Sequence, residues 1–275
     1  MRALVLMMAA AFALQAAGPL AIVRMSVQQS EGGPPLPPRF THIPGEVIFF
    51  SFQVEGYRVS PQSRISLDTK MEAFDPHGVP IAPPMTSKVE AELTPEDKEW
   101  RPKVQHDLAI PPLAPSGDYR IAVSVTDNLV KATASKEFAF EVRGHDVEPS
   151  PTLTIRNFHF YRGEEDQEPL AKPVYRPGDP VWMRFDIAGY KLGPSNAVDV
   201  SYGIALIAAS GNVLWSNPQA AVEQSRSFYP KPYVPASGSI SLGKDIRPGD
   251  YTIVVNCQDS IGNQHYEMKQ NFTVE

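Results

Sequence analysis

Apolar side chains along most of the chain recur at every second position. Ile48, Phe50, Phe52 and Val54 form one such series, and Ile65, Leu67, Thr69 and Met71 the next. The same spacing returns later at Val181, Met183, Phe185 and Ile187, then at Val198, Val200, Tyr202 and Ile204. Side chains of an extended strand point to opposite faces in turn, so each series predicts a strand with one buried face. Past the N-terminal apolar run, no stretch carries apolar residues at the 3.6-residue period of an amphipathic helix. The pattern predicts an all-β chain.

The strand pattern occurs twice. Pro44-Gly45-Glu46 through Gly56-Tyr57 aligns with Pro177-Gly178-Asp179 through Gly189-Tyr190, and one displacement relates residues 20–81 to 153–214 without a gap. Identities include Leu20/Leu153, Ile22/Ile155, Phe52/Phe185 and Gly78/Gly211. Near the end of each copy the displacement shortens by one residue, and Gly117-Asp118-Tyr119 meets Gly249-Asp250-Tyr251. Register kept across so many strands predicts two domains from one repeated unit. The expected division is residues 18–143 and 152–275, joined by a polar, proline-stiffened linker at 144–151.

Within each unit, apolar parity shifts from Leu20 and Ile22 to Met25 and Val27, and from Leu153 and Ile155 to Phe158 and Phe160. A one-residue shift turns the inward face over, which predicts a bulge or a crossing between sheets. Turns are expected at Gly78 and at Ser210-Gly211-Asn212. Residues 82–105 and 215–236 are polar, proline-containing and poorly superimposable between the copies, and are expected to be divergent loops. The closing strands run from Tyr119 to Val125 and from Phe138 to Val142, matched by Tyr251 to Val255 and Phe272 to Val274.

Pro115-Ser116-Gly117-Asp118-Tyr119-Arg120-Ile121-Ala122-Val123 and Pro248-Gly249-Asp250-Tyr251-Thr252-Ile253-Val254-Val255 resemble the turn and late strand of the immunoglobulin-like group. The similarity is to the macroglobulin-like and fibronectin-type modules of exported bacterial proteins. It implies two tandem immunoglobulin-like β-sandwich domains, with a tyrosine hydroxyl in each bonded back to the upstream backbone. Ile121 and Ile253 stand where antibody domains carry a cysteine, so the antibody-type disulfide is excluded.

Composition sharpens this picture. The 28 prolines, clustered in runs such as Gly33–Pro38, favour short strands and rigid loops. Arg2 followed by an apolar run from Ala3 to Leu14 and the small residues Ala16-Ala17-Gly18 reads as a secretory signal peptide over residues 1–17. Export to the periplasm, cell surface or secreted space is expected, without stable membrane insertion after cleavage. With one cysteine, Cys257, no intramolecular disulfide can form, and this thiol in an apolar strand is expected to be buried and inert. The net charge of −6 without any basic run argues against nucleic acid as a partner.

The sequence carries no nucleophile elbow, zinc-binding histidine pair on a helix, phosphate-cradling glycine loop or calcium loop. The six histidines are dispersed. No catalytic residue, metal or cofactor is therefore expected. The acidic run Glu164-Glu165-Asp166-Gln167-Glu168 has calcium-type ligands but not the spacing of a dedicated calcium loop, and reads as solvated. Asp127 and Asp259 recur in both units as strand-end hydrogen-bonding residues. Phe49 and Trp182 occupy one repeat position on the face opposite the core and need a cover, from a loop, the other domain or a partner. The loop holding Phe228, Tyr229 and Tyr233 offers flat aromatic faces suited to a sugar ring or a protein loop. These five residues are the candidate partner-binding set. The expected function is a non-catalytic module acting on envelope proteins or a surface polymer. The alternatives are carbohydrate binding through the aromatic loop and an enzyme with its site in the interdomain cleft.

Overall fold

The computed structural model describes residues 18–275 apart from Lys98. The expected signal peptide, residues 1–17, lies outside the described residues. The first unit contains β1 (Ala21–Gln28), β2 (Thr41–His42), β3 (Val47–Glu55), β4 (Arg64–Phe74), β5 (Met85–Glu92), β6 (Lys103–Ala109), β7 (Gly117–Asp127) and β8 (Ala132–Val142). The second contains β9 (Thr154–Tyr161), β10 (Val174–Tyr175), β11 (Pro180–Ala188), β12 (Val198–Ala208), β13 (Val213–Ser225), β14 (Tyr233–Ser241), β15 (Gly249–Asp259) and β16 (Gln264–Val274). No helix among the described residues is long and apolar enough to cross a membrane.

Both units have one topology. A three-stranded sheet, β1-β3-β6 or β9-β11-β14, faces a five-stranded sheet, β2-β8-β7-β4-β5 or β10-β16-β15-β12-β13. The chain is thus all-β and folds as two tandem sandwiches. The alternating residues of β3 and β11 are buried as their spacing predicts, with Phe50, Phe52, Val181 and Ile187 fully enclosed. Each unit has its own cluster of buried side chains.

Equivalent positions carry equivalent backbone exceptions, which shows that the repeat is structural as well as sequential. The parity shift is a β-bulge in both units, with Arg24 (φ 51°) and its counterpart Asn157 (φ 48°) in the left-handed region. Asparagine tolerates that conformation better than arginine does, because its short amide bonds locally. Gly56 and Gly189 both have φ 74°, and a Cβ on either would stand about 2 Å from a carbonyl oxygen, of Pro19 or of Thr152. A tyrosine hydroxyl bonds back to the upstream backbone in each unit, that of Tyr119 donating to Pro115 O at 2.9 Å and that of Tyr251 to Arg247 O at 2.6 Å.

The two segments expected to be divergent loops both contain strands. β5 and the start of β6 lie within 82–105, and β13 and the start of β14 occupy most of 215–236. All four lie at sheet edges. An edge strand covered on one face or neither does not need a clean apolar alternation: β5 pairs half-buried residues with Lys88 and Glu90, and the first eight residues of β13 are exposed on both faces.

Cys257 on β15 is 2% exposed, and burial pushes its thiol pKa up to about 12. In the unfolded chain the thiol ionises near its ordinary value of 9.0. Between those values the unfolded state binds fewer protons than the folded state, so this group makes stability fall as pH rises through the window and leaves it unchanged below. A thiol-reactive chromophore at pH 8 is expected to label Cys257 only on unfolding; prompt stoichiometric labelling of the folded chain would contradict its burial.

Candidate functional site

The two units meet through a clamp built from three segments. The first is the loop between β13 and β14, which contains Tyr229. This side chain leaves the second unit and joins the buried cluster of the first, where only 8% of the residue stays exposed. Its hydroxyl donates to Asp75 Oδ2 at 2.9 Å. Asp75, itself buried, turns the chain after β4, its Oδ1 accepting the His77 and Val79 amides at 2.8 Å each. The carboxylate therefore has a donor on each oxygen, as a buried charge requires. Burial, reinforced by the bond to Asp75, holds the Tyr229 hydroxyl far above its ordinary pKa, and burial does the same to neighbouring Tyr119.

The second segment is the chain between the units. Gly144 N donates to Ser116 Oγ at 3.0 Å, and Ser116 N to Asp146 Oδ1 at 3.4 Å, which ties the linker to the first unit. A side chain at 144 would place its Cβ 2.2 Å from Ala114 O, so the close approach demands glycine. On the other side His145 Nε2 lies 2.7 Å from Asp186 Oδ2 on β11. The third segment is the bulge of β9: Asn157 Nδ2 donates to the same Asp186 oxygen at 2.8 Å and to Asp146 O at 3.3 Å. It does so from a left-handed backbone, φ 48°. Together with Tyr233, whose ring meets the His145 ring edge-on at 5.4 Å, these groups line a shallow groove of about 570 Å³.

The loop that carries Tyr229 is fixed from its own unit. Asn196 Nδ2 donates to Phe228 O at 2.6 Å, and the Tyr190 hydroxyl to Lys231 O at 2.8 Å. The latter bond repeats in the first unit, where the equivalent Tyr57 hydroxyl donates to Trp100 O at 2.6 Å.

Of the five candidate residues, the structure brings two into this junction. Tyr229 is enclosed between the units, so neither face of its ring is open to a sugar. Tyr233, at the start of β14, is also buried. Phe228 alone of the loop aromatics is exposed, at 52%. Phe49 and Trp182 lie apart from the clamp, half-buried on the outer faces of the three-stranded sheets: Phe49 sits between Gln28 and Asp107, Trp182 between Tyr161 and Ser239.

The acidic loop after β9 is organised by a cation already present. The Arg184 guanidinium donates to Asp166 O at 2.7 Å and to Glu164 O, and lies 4.4 Å from the centre of the Tyr161 ring. Two backbone carbonyls of the acidic loop thus accept from a fixed positive charge.

No family model and no curated protein matches this chain. Among solved structures it is similar to the C-terminal domain of the Streptococcus agalactiae antigen I/II polypeptide BspA, at 9% identity and TM-score 0.33, over 93% of this chain and 100% of that one. It is likewise similar to the C-terminal domain of the Streptococcus pyogenes antigen I/II-family protein AspA, at 9% identity and TM-score 0.33, over 94% and 100%.

Two features escaped the sequence. Asp75 and Tyr229 pair across 154 positions, and the His145–Asp186–Asn157 set is assembled from linker, strand and bulge. The one available signal was departure from the repeat: Asp75 stands where the second unit has Ala208.

Proposed function

We propose that this is an exported, non-catalytic module of two sandwich domains, residues 18–143 and 152–275, that presents a binding surface to an envelope protein or a surface polymer at a fixed inter-domain angle. The observation that carries the proposal is the clamp. A chain whose only role was to join two independent domains has no use for a tyrosine seated in its neighbour's core, nor for a linker bonded to both sides. Inter-domain contacts of ordinary kind leave relative motion free; this one spends its most distinctive aromatic loop on removing it. The signal-peptide pattern of residues 1–17 supports export.

Crosslinking the full chain in envelope extract of its own source, followed by identification of the attached species, tests the binding half. A saturable partner is expected. Recovery of no protein and no polymer at micromolar concentration would leave the spacer role alone.

A further inference from the structure

We propose that the free edge of β14 takes up an extended strand from a partner polypeptide, one with alternating apolar side chains and a basic residue at the end nearest Asp245. This deepens the binding role proposed above and rests on it.

The register of the strands shows which backbone groups are free. Ser241 pairs with Pro180, and Leu242 N donates to Asp179 O at 3.0 Å. Hydrogen-bonded and non-hydrogen-bonded pairs alternate along an antiparallel ladder. Residues 234, 236, 238 and 240 therefore bond to β11, while the amides and carbonyls of Pro235, Ser237, Ser239 and Ser241 point away from it. Pro235, which has no N–H, falls on that outward set, where proline is tolerated. The Ser237 carbonyl is taken by the Tyr202 hydroxyl at 2.5 Å, which confirms its outward direction. Among the described residues nothing bonds the Ser239 or Ser241 amide.

Such an edge is normally guarded. In the first unit the equivalent edge strand, β6, carries the exposed Lys103 and Asp107 at positions whose backbone groups face away from β3, by the same register argument from Ile110 N donating to Glu46 O. Inserted charges of that kind discourage strand addition. In β14 every residue from Tyr233 to Ser241 is uncharged, and its ladder to β11 runs without a bulge.

Beside this edge the sandwich is incomplete. Three strands face five, so β13 has nothing opposite it, and Val213, Leu214 and Trp215 are exposed at 61%, 51% and 40%. Between β13 and β14 lies a groove of about 580 Å³ lined by Leu206, Leu214, Trp215, Ile240, Leu242 and Ile246. A fourth strand on the β14 edge would send alternate side chains into this groove and the others to solvent. Asp245 is the charged residue on its lining, which sets the preference for a basic terminus. A second copy of the chain fits poorly. Its alternating apolar strand residues already fill its own cores, the exposed Val213, Leu214 and Trp215 of β13 run consecutively instead of alternating, and its β14 would bring serines to an apolar groove.

The test uses fluorescein-labelled nine-residue peptides with Val or Ile at alternate positions, Thr between them, and Lys or Glu at one end, titrated into the full chain by anisotropy. Trp182, directly opposite Ser239, gives a second signal. The Lys peptide is expected to bind, to protect the Ser239 and Ser241 amides from hydrogen exchange, and to lose at least about tenfold in affinity with Ser239→Pro. Proline is tolerated at an edge position whose N–H points outward, as Pro235 already is, so the melting temperature should stay close to the parent's. Asp245→Asn should abolish the preference for Lys over Glu. Equal binding to Ser239→Pro, or no binding of any peptide at about 1 mM, overturns the proposal. So does self-association of the parent that Ser239→Pro abolishes, which places a second copy on the edge. Repeating the envelope crosslinking with Ser239→Pro separates the two claims. Loss of the partner supports strand addition; recovery of the same partner overturns it and leaves the binding role standing.

Discussion

Replacing Tyr229 by alanine is expected to convert a single cooperative unfolding transition into two. The tyrosine ring is the second unit's contribution to the buried cluster of the first, and its hydroxyl supplies the donor for Asp75 Oδ2. Removing a buried aromatic ring costs about 3–5 kcal/mol. Here most of that loss falls on the coupling between units, because each keeps its own core. Tyr229→Phe keeps the ring and removes only the bond to the carboxylate, a loss of about 1.5–3 kcal/mol. Differential scanning calorimetry of the three chains checks this: one peak for the parent, a broadened one for the phenylalanine variant, two resolved peaks for the alanine variant. An unchanged single peak in Tyr229→Ala would mean that the contact carries no coupling.

Asp259→Ala is expected to unfold the second unit at far lower denaturant than the parent. The carboxylate is wholly buried and accepts four donors: the Ile261 and Gly262 amides on Oδ1, the Lys191 amide and Gln264 Nε2 on Oδ2. It thereby fastens the loop after β11 to the turn between β15 and β16. Gln264 Oε1 carries the network on to the Leu153 amide at the start of β9. Alanine leaves several of these donors without an acceptor, at about 1–3 kcal/mol each. Allowing for water entry at the loop, a loss of about 4 kcal/mol is expected, a large share of what an ordinary domain has. The urea midpoint followed by tryptophan fluorescence should fall well below the parent's, and because Tyr229 couples the units the first unit shares in the fall; a midpoint that coincides with the parent's would refute the role. Asp127 holds the first unit in the same way, accepting the Arg58 amide at 2.7 Å and that of Leu129 at 2.9 Å.

What was legible in the sequence is what a period or a repeat records. Alternation at Phe50, Phe52 and Val54 reports burial directly, because a strand between two layers has one inward face. The recurrence of Asp127 as Asp259, and of Tyr119 as Tyr251, reports local closures made within a few residues or across neighbouring strands. Edge strands were less visible. β13 presents Val213, Leu214 and Trp215 without alternation because no sheet lies opposite to bury one face. The clamp was not legible as a clamp. The aromatic loop stands out for its chemistry, yet nothing local to Tyr229 says that its ring belongs to another domain's core. That contact depends on how two units are placed, and no periodicity records placement. His145 and Asp186 were hidden for the same reason: one lies in a linker, the other on an outward position of a strand whose inward residues alone follow the apolar pattern.

Residual dipolar couplings of backbone amides, collected for the full chain in one alignment medium, test the central claim most directly. With Tyr229 seated beside Asp75 and the linker bonded to Ser116 and Asp186, couplings from β3, β4 and β7 and from β11, β12 and β15 should fit one common alignment tensor. Tensors that differ in magnitude between the two sets would show the units moving independently, and the clamp would not exist in solution.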